Sequence, residues 1–140
     1  MAKRGPEAAL STVPLFEGLP PRHLKRLRDI CQVVDYMPGH SVVKEGDVGD
    51  SFYVIVSGQA KVSTKGRTVR HMMPGEHFGE IALLDGGERT ATVETETPMR
   101  LLEIRRNAFT KLVRAEPLIA VGLLKGIARM IRQAQNSLQG

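Results

Sequence analysis

Gly79, Glu80 and Arg89 are the residues of this chain whose types and spacing best suit chemistry on an anion. They stand in the run Phe78, Gly79, Glu80, Ile81, Ala82, Leu83, Leu84, Asp85, Gly86, Gly87, Glu88, Arg89, Thr90, Ala91, Thr92, Val93. Gly79 permits a backbone conformation or a close approach that a Cβ forbids, and Glu80 to Leu84 are good formers of a single helical turn. A helix that starts here leaves free N–H groups at about Ile81 and Ala82, at the positive end of its dipole, which suits a phosphate. Gly86 and Gly87 turn the chain back, so that Arg89, at the start of the next strand, can face the same point with a bidentate guanidinium fork. Glu80 would repel a bare anion at this place. It fits a ligand that also offers a hydroxyl donor at a fixed distance, as acidic residues bind ribose hydroxyls in dinucleotide folds. A nucleotide with a free 2′-hydroxyl and a compact phosphodiester meets both demands, and a cyclic 3′,5′ nucleotide has that shape.

Other uses of the same residues compete with this one. Glu80 and Arg89 could form a structural ion pair that braces a loop, although such a pair is weak evidence of stability and leaves Gly79, Ala82 and Thr90 unexplained. Thr90 offers a hydroxyl to a base, or merely favours a strand. An enzyme would have to use Glu80 as a general base near His77, and no nucleophile or metal site accompanies it, so the chain is read as a non-enzyme. The four histidines, at 23, 40, 71 and 77, share no metal-ligand spacing and are expected on surfaces or in loops. No metal and no resident cofactor is expected.

The elements that must position these residues read as helix, then strands, then helix. Pro20 and Pro21 suit the first positions of a helix, and Leu24, Leu27, Ile30 and Cys31 recur at helical spacing, which predicts a helix at about 21–31. Cys31 is expected as a small buried apolar residue. From 32 to 104, short runs rich in Val, Ile, Thr, Tyr and Phe alternate with glycines, the texture of an antiparallel sandwich or barrel. Strands are expected at 51–57, 60–64, 68–73, 90–94 and 99–104 within a total of about eight, with Phe52, Val54 and Val56 on one side of the first and Tyr53 and Ile55 on the other. Asn107 caps a further helix, and Pro117 ends it and starts another. Ile119, Leu123, Ile127, Met130, Ala134 and Leu138 then form an apolar stripe expected to pack on the barrel. Gly122 and Gly126 inside this last helix indicate close packing against a neighbour or partner helix, or a bend.

Length and charge narrow the setting. A chain of 140 residues can bury one sizeable core, so one domain without a second effector domain is expected. The formal charge of +5 is unevenly placed: residues 105–140 hold seven Lys and Arg against Glu116 alone, while residues 1–104 hold thirteen against fourteen acids. The surplus therefore reads as the solvated face of the last helices rather than as a nucleic-acid footprint. One cysteine, no apolar run near the ~20 residues that span a bilayer and no apolar leader suggest a cytoplasmic protein with no membrane partner.

The run from Phe78 to Val93 resembles the phosphate-binding cassette of the cyclic nucleotide-binding domain family, found in catabolite activator proteins, protein kinase A regulatory subunits and cyclic nucleotide-gated channels. The resemblance extends to Leu15, Phe16, Gly18, Gly46 and Val54 through Gly58, and downstream to Phe109 and the two last helices. It implies an antiparallel eight-stranded jelly-roll barrel with an N-terminal helix, a short cassette helix and two C-terminal helices. Residues 13–140 would be that domain, after an extension of 1–12. The implied ligand set is Phe78, Gly79, Glu80, Ile81, Ala82, Arg89, Thr90 and Ala91. In it Glu80 accepts the ribose 2′-hydroxyl, Arg89 binds the cyclic phosphate, Gly79, Ala82 and Thr90 supply backbone donors, and Ala82 packs close to the ligand. Aligning the last helix on Pro117 makes Ala134 and Gln135 the base-capping candidates, with Arg132, Gln133 and Asn136 nearby. The resemblance implies a sensor for cAMP, or cGMP, whose last helix moves on binding; an effector that reads this movement is expected, and a homodimer through that helix is left open. A catabolite activator carries a helix-turn-helix domain after this helix, and here Gly140 follows, so no nucleic acid is expected as partner. The alternative is a degenerate barrel that binds no nucleotide and acts as a protein-interaction module.

Overall fold

The computed structural model describes residues 6–139. Residues 1–5 of the expected N-terminal extension lie outside that range. Two compact units are present, one of residues up to Ile30 together with those from Phe109 onward, the other Cys31–Ala108.

The second unit holds the strands. β1 (Gln32–Tyr36), β2 (Ser41–Val43), β3 (Ser51–Ser57), β4 (Ala60–Thr64), β5 (Arg67–Met72), β6 (His77–Phe78), β7 (Thr92–Thr95) and β8 (Met99–Arg105) form two antiparallel sheets, in the orders β1-β8-β3-β6 and β2-β7-β4-β5. The eight antiparallel strands of the expected jelly-roll barrel are thus present, as two four-stranded sheets rather than as a closed wall. Each sheet keeps its edges, and β2 and β6, of three and two residues, are too short to carry pairing further round. Tyr53 and Ile55 of β3, Ala60 and Val62 of β4, Met72, Val93, and Met99 and Leu101 of β8 fill the core.

Both sides of β3 are covered: Tyr53 and Ile55 share the core between the sheets, and Ser51 to Ile55 are all buried because this strand lies between β8 and β6 and packs against the short helix α3 (Glu80–Asp85). Val56 is exposed where a register shift against β8 between Ile55 and Ser57 breaks the pattern. The strand expected at 90–94 starts at Thr92, which leaves Arg89 and Thr90 in the loop before it.

The other unit is helical. α1 (Pro6–Ser11) and a 3₁₀ turn at Pro14–Phe16 precede α2 (Pro21–Ile30), so the N-terminal segment holds more helix than expected, with Leu10, Val13, Leu15 and Phe16 fully or almost fully buried. α4 (Arg106–Ala115) and α5 (Leu118–Gln139) close the chain. Gly122 and Gly126 serve close packing: a Cβ on Gly126 would fall on the Leu15 carbonyl, and one on Gly122 would lie 3.0 Å from the Gly18 carbonyl oxygen. The expected stripe of α5 fades along its length. Ile119 and Leu123 are buried, Ile127 and Met130 half-buried, Ala134 and Leu138 exposed. At about 1.5 Å per residue, Leu138 stands about 18 Å beyond the Gly126 contact with the 3₁₀ turn.

Two smaller expectations are corrected here. Cys31 is half-buried rather than buried, and desolvation still pushes its thiol up to about 12. His23 on α2 is buried, with Nδ1 lacking a hydrogen-bond partner, and His77 lies half-buried in β6.

Candidate functional site

The short helix α3 starts where glycine is required. Gly79 precedes it at φ +92°, in the left-handed region, and a Cβ there would stand 2.5 Å from Arg89 Nη1 and 2.8 Å from the Ser51 carbonyl oxygen. The Leu83 N–H donates to the Gly79 carbonyl at 3.0 Å, so the amides of Ile81 and Ala82 precede the first turn's bond, as expected.

Arg89 is held from a loop of which the sequence reading singled out only Gly46, with no role toward Arg89. Residues 44–50 run beside 87–89: the Gly49 N–H donates to the Gly87 carbonyl at 2.8 Å, the Arg89 N–H to Asp47 at 2.7 Å, and the Gly46 N–H to Arg89 at 2.9 Å, around a bridge between Val48 and Glu88. Gly49 is the tight point. A Cβ on it would collide with Ala82 Cβ and come within 2.9 Å of Arg89 Nε. The one available signal was the glycine itself, in a stretch with several others. Arg89 is thereby buried, 9% exposed, with Nη2 donating to the Ser51 carbonyl at 2.7 Å. Beside it lies a cavity of about 220 Å³, lined also by Val43, Lys44, Asp50 and Tyr53. Burial and the Glu103 carboxylate, to which it donates at 2.9 Å, push the Tyr53 phenol up, so it stays protonated.

Glu80 makes a different partnership from the bracing ion pair considered above. Its Oε2 lies 3.3 Å from His77 Nδ1, and among the described ion pairs neither Glu80 nor Arg89 has the other as partner. Burial pushes the Glu80 carboxyl up, but the His77 hydrogen bond, its own backbone N–H and the His77 charge together hold it below the usual carboxylate range.

The remaining site candidates divide. Phe78 stacks on Tyr53 with centroids 5.0 Å apart, Ala82 is buried against the Gly49 position, and half-buried Ala91 packs on the inter-sheet core. Ile81 is 70% exposed and Thr90 is exposed. Arg132, Gln133, Ala134, Gln135 and Asn136 are all exposed on α5. Thus Gly79, Ala82 and Arg89 are brought together, with Glu80 adjacent through the helix start.

The family description "Cyclic nucleotide-binding domain" matches residues 33–116, a span that holds both sheets, α3 and Arg89. The chain belongs to the cyclic nucleotide-binding domain family. It is 33% identical over 134 residues to a CRP-like cAMP-activated global transcriptional regulator of Mycobacterium tuberculosis, covering 92% of this chain and 60% of the relative. A cAMP-dependent protein kinase regulatory subunit of Emericella nidulans is 35% identical over 109 residues, covering 76% of this chain and 26% of that one. Among solved structures, the N-terminal domain of a transcriptional regulator from Streptomyces coelicolor A3(2) superposes with a TM-score of 0.83 at 29% identity, covering 91% of this chain and 95% of that one. This cyclic nucleotide-binding domain spans 60% or less of the two curated relatives, which are regulators by name. Among its described residues no helix is long and apolar enough to cross a membrane.

Proposed function

We propose that the chain is a non-enzymatic cyclic nucleotide sensor, taking cAMP in preference to cGMP, that couples binding to movement of α5. Arg89 takes the cyclic phosphate beside the Gly79 turn and the Ile81 and Ala82 amides, and Glu80 accepts the ribose 2′-hydroxyl. The observation that carries this reading is the separation of the two charges. Arg89 is buried against Gly79 while Glu80 pairs with His77, so acid and base are left to opposite ends of one ligand instead of neutralising each other. The cAMP in the names of two relatives favours that nucleotide. The residues Arg132 to Asn136, exposed here, are the base-capping candidates, and only a difference in affinity between two positions of α5 can drive its movement.

The domain extent, 13–140, the cytoplasmic setting and the effector that reads α5 belong to the same proposal, as does pairing with a twin. Val121, Leu124, Ala128, Ile131 and Leu138 are exposed at alternating spacings of three and four, apart from Gln135, which is the pattern of a helix-pairing seam. A rival reading, a degenerate domain that binds no nucleotide and serves protein interaction, draws on the bond that Arg89 already makes to Ser51. Calorimetric titration separates the two: saturable heat with cAMP, and weaker heat with cGMP, is expected, and no heat with either up to millimolar concentration overturns the proposal.

A further inference from the structure

His77 is placed by backbone pairing before its side chain does anything. In β6 it pairs with Val54 while Phe78 pairs with Tyr53, and because neighbouring strand residues face opposite ways, the two rings go to opposite sides. Phe78 stacks on Tyr53, and the His77 ring lies 5.7 Å from that of Phe52, which is fully buried. With that ring beside it, His77 Nδ1 meets Glu80 Oε2 at 3.3 Å, three residues ahead and across the left-handed Gly79 turn. Both side chains are shielded, with exposures of 23% and 22%.

A free glutamate has three rotatable bonds and no preferred direction. Here one oxygen takes the histidine N–H at 3.3 Å, which leaves further lone pairs for a ligand hydroxyl. We infer that His77 is a positioning residue for Glu80: it aims the carboxylate at the ribose 2′-hydroxyl and so sets how strongly the domain prefers a ribonucleotide to its 2′-deoxy form. This rests on the role given to Glu80 in the proposed function.

The probes are cAMP and 2′-deoxyadenosine 3′,5′-cyclic monophosphate, titrated calorimetrically into the wild type, His77→Phe and His77→Gln. The phenylalanine keeps a ring beside Phe52 and removes the donor, while glutamine loses the ring and keeps an N–H. The wild type should prefer cAMP by about tenfold to a hundredfold, the worth of one hydrogen bond to a charged group. His77→Phe should cut that preference about threefold or more and leave affinity for the 2′-deoxy compound within about twofold, and His77→Gln should restore it. An unchanged preference in His77→Phe, or equal weakening toward both nucleotides, overturns the positioning role. A wild type that binds both nucleotides equally removes the role of Glu80 and this inference with it, and one that binds neither overturns the proposed function itself.

Discussion

Glu80 and Arg89 sit nine positions apart and carry opposite charges, yet each finds another partner, a histidine ring and a backbone carbonyl. The Glu80 carboxyl is held below its usual range in the folded chain, so on acidification the unfolded state takes up its proton first. Its contribution to stability is whole above the ordinary carboxylate value of about 4.3 and is lost as pH falls through the lower folded value. Urea midpoints of the wild type should therefore drop more steeply between about pH 5 and pH 3 than those of Glu80→Gln. Parallel slopes would show that the His77 contact does not favour the ionised form. Exposed Glu96, held down by His71 and Gln59, and Asp35, held down by Arg100, carry the same sign in both proteins and cancel from the comparison.

The short helix and the loop at 44–50 act as one device, because the loop's amides and carbonyls fix the backbone from Gly87 to Arg89. Gly49→Ala places a methyl group on Ala82 and against the Arg89 guanidinium, and overpacking of this kind costs about 1–3 kcal/mol. Thermal denaturation should show that loss together with weaker cAMP binding, and a variant as stable as the wild type would mean that the loop yields freely. The backbone of this segment was legible in sequence because its signals are local: a glycine before a helical turn, two glycines after it, and an arginine beyond. Gly49 was not, since its partner Ala82 is distant along the chain and glycine alone does not say what approaches it. Likewise the helix starts at Pro21 and after Pro117 were readable from proline, whereas the two-residue strand β6 has no periodicity to read. Strand count and turn spacing left sandwich and barrel open, because they are the same for a closed wall and for two sheets that keep their edges, and the barrel itself was only what the family resemblance implied.

At the scale of the whole molecule, the basic surplus of the last 36 residues lies mostly on the exposed faces of α4 and α5, where lysine and arginine alternate with the buried Phe109, Leu112, Ile119 and Leu123. α5 also exposes Val121, Leu124, Ile131 and Leu138, an apolar seam that water does not favour. If two chains pair along that seam, sedimentation velocity should show a dimer that Leu124→Glu with Ile131→Glu converts to monomer while cAMP binding persists. A wild type that sediments as a monomer at all concentrations would assign the seam to some other partner.

The central claim is that Arg89, buried beside Gly79, is the anchor for a cyclic phosphate. Its most direct measurement is the affinity of Arg89→Ala for cAMP against that of the wild type, by calorimetry, with circular dichroism to confirm the fold. Loss of one partner of a buried charged pair predicts binding weaker by about thirtyfold or more with an unchanged spectrum, and equal affinity in the two proteins would contradict the assignment.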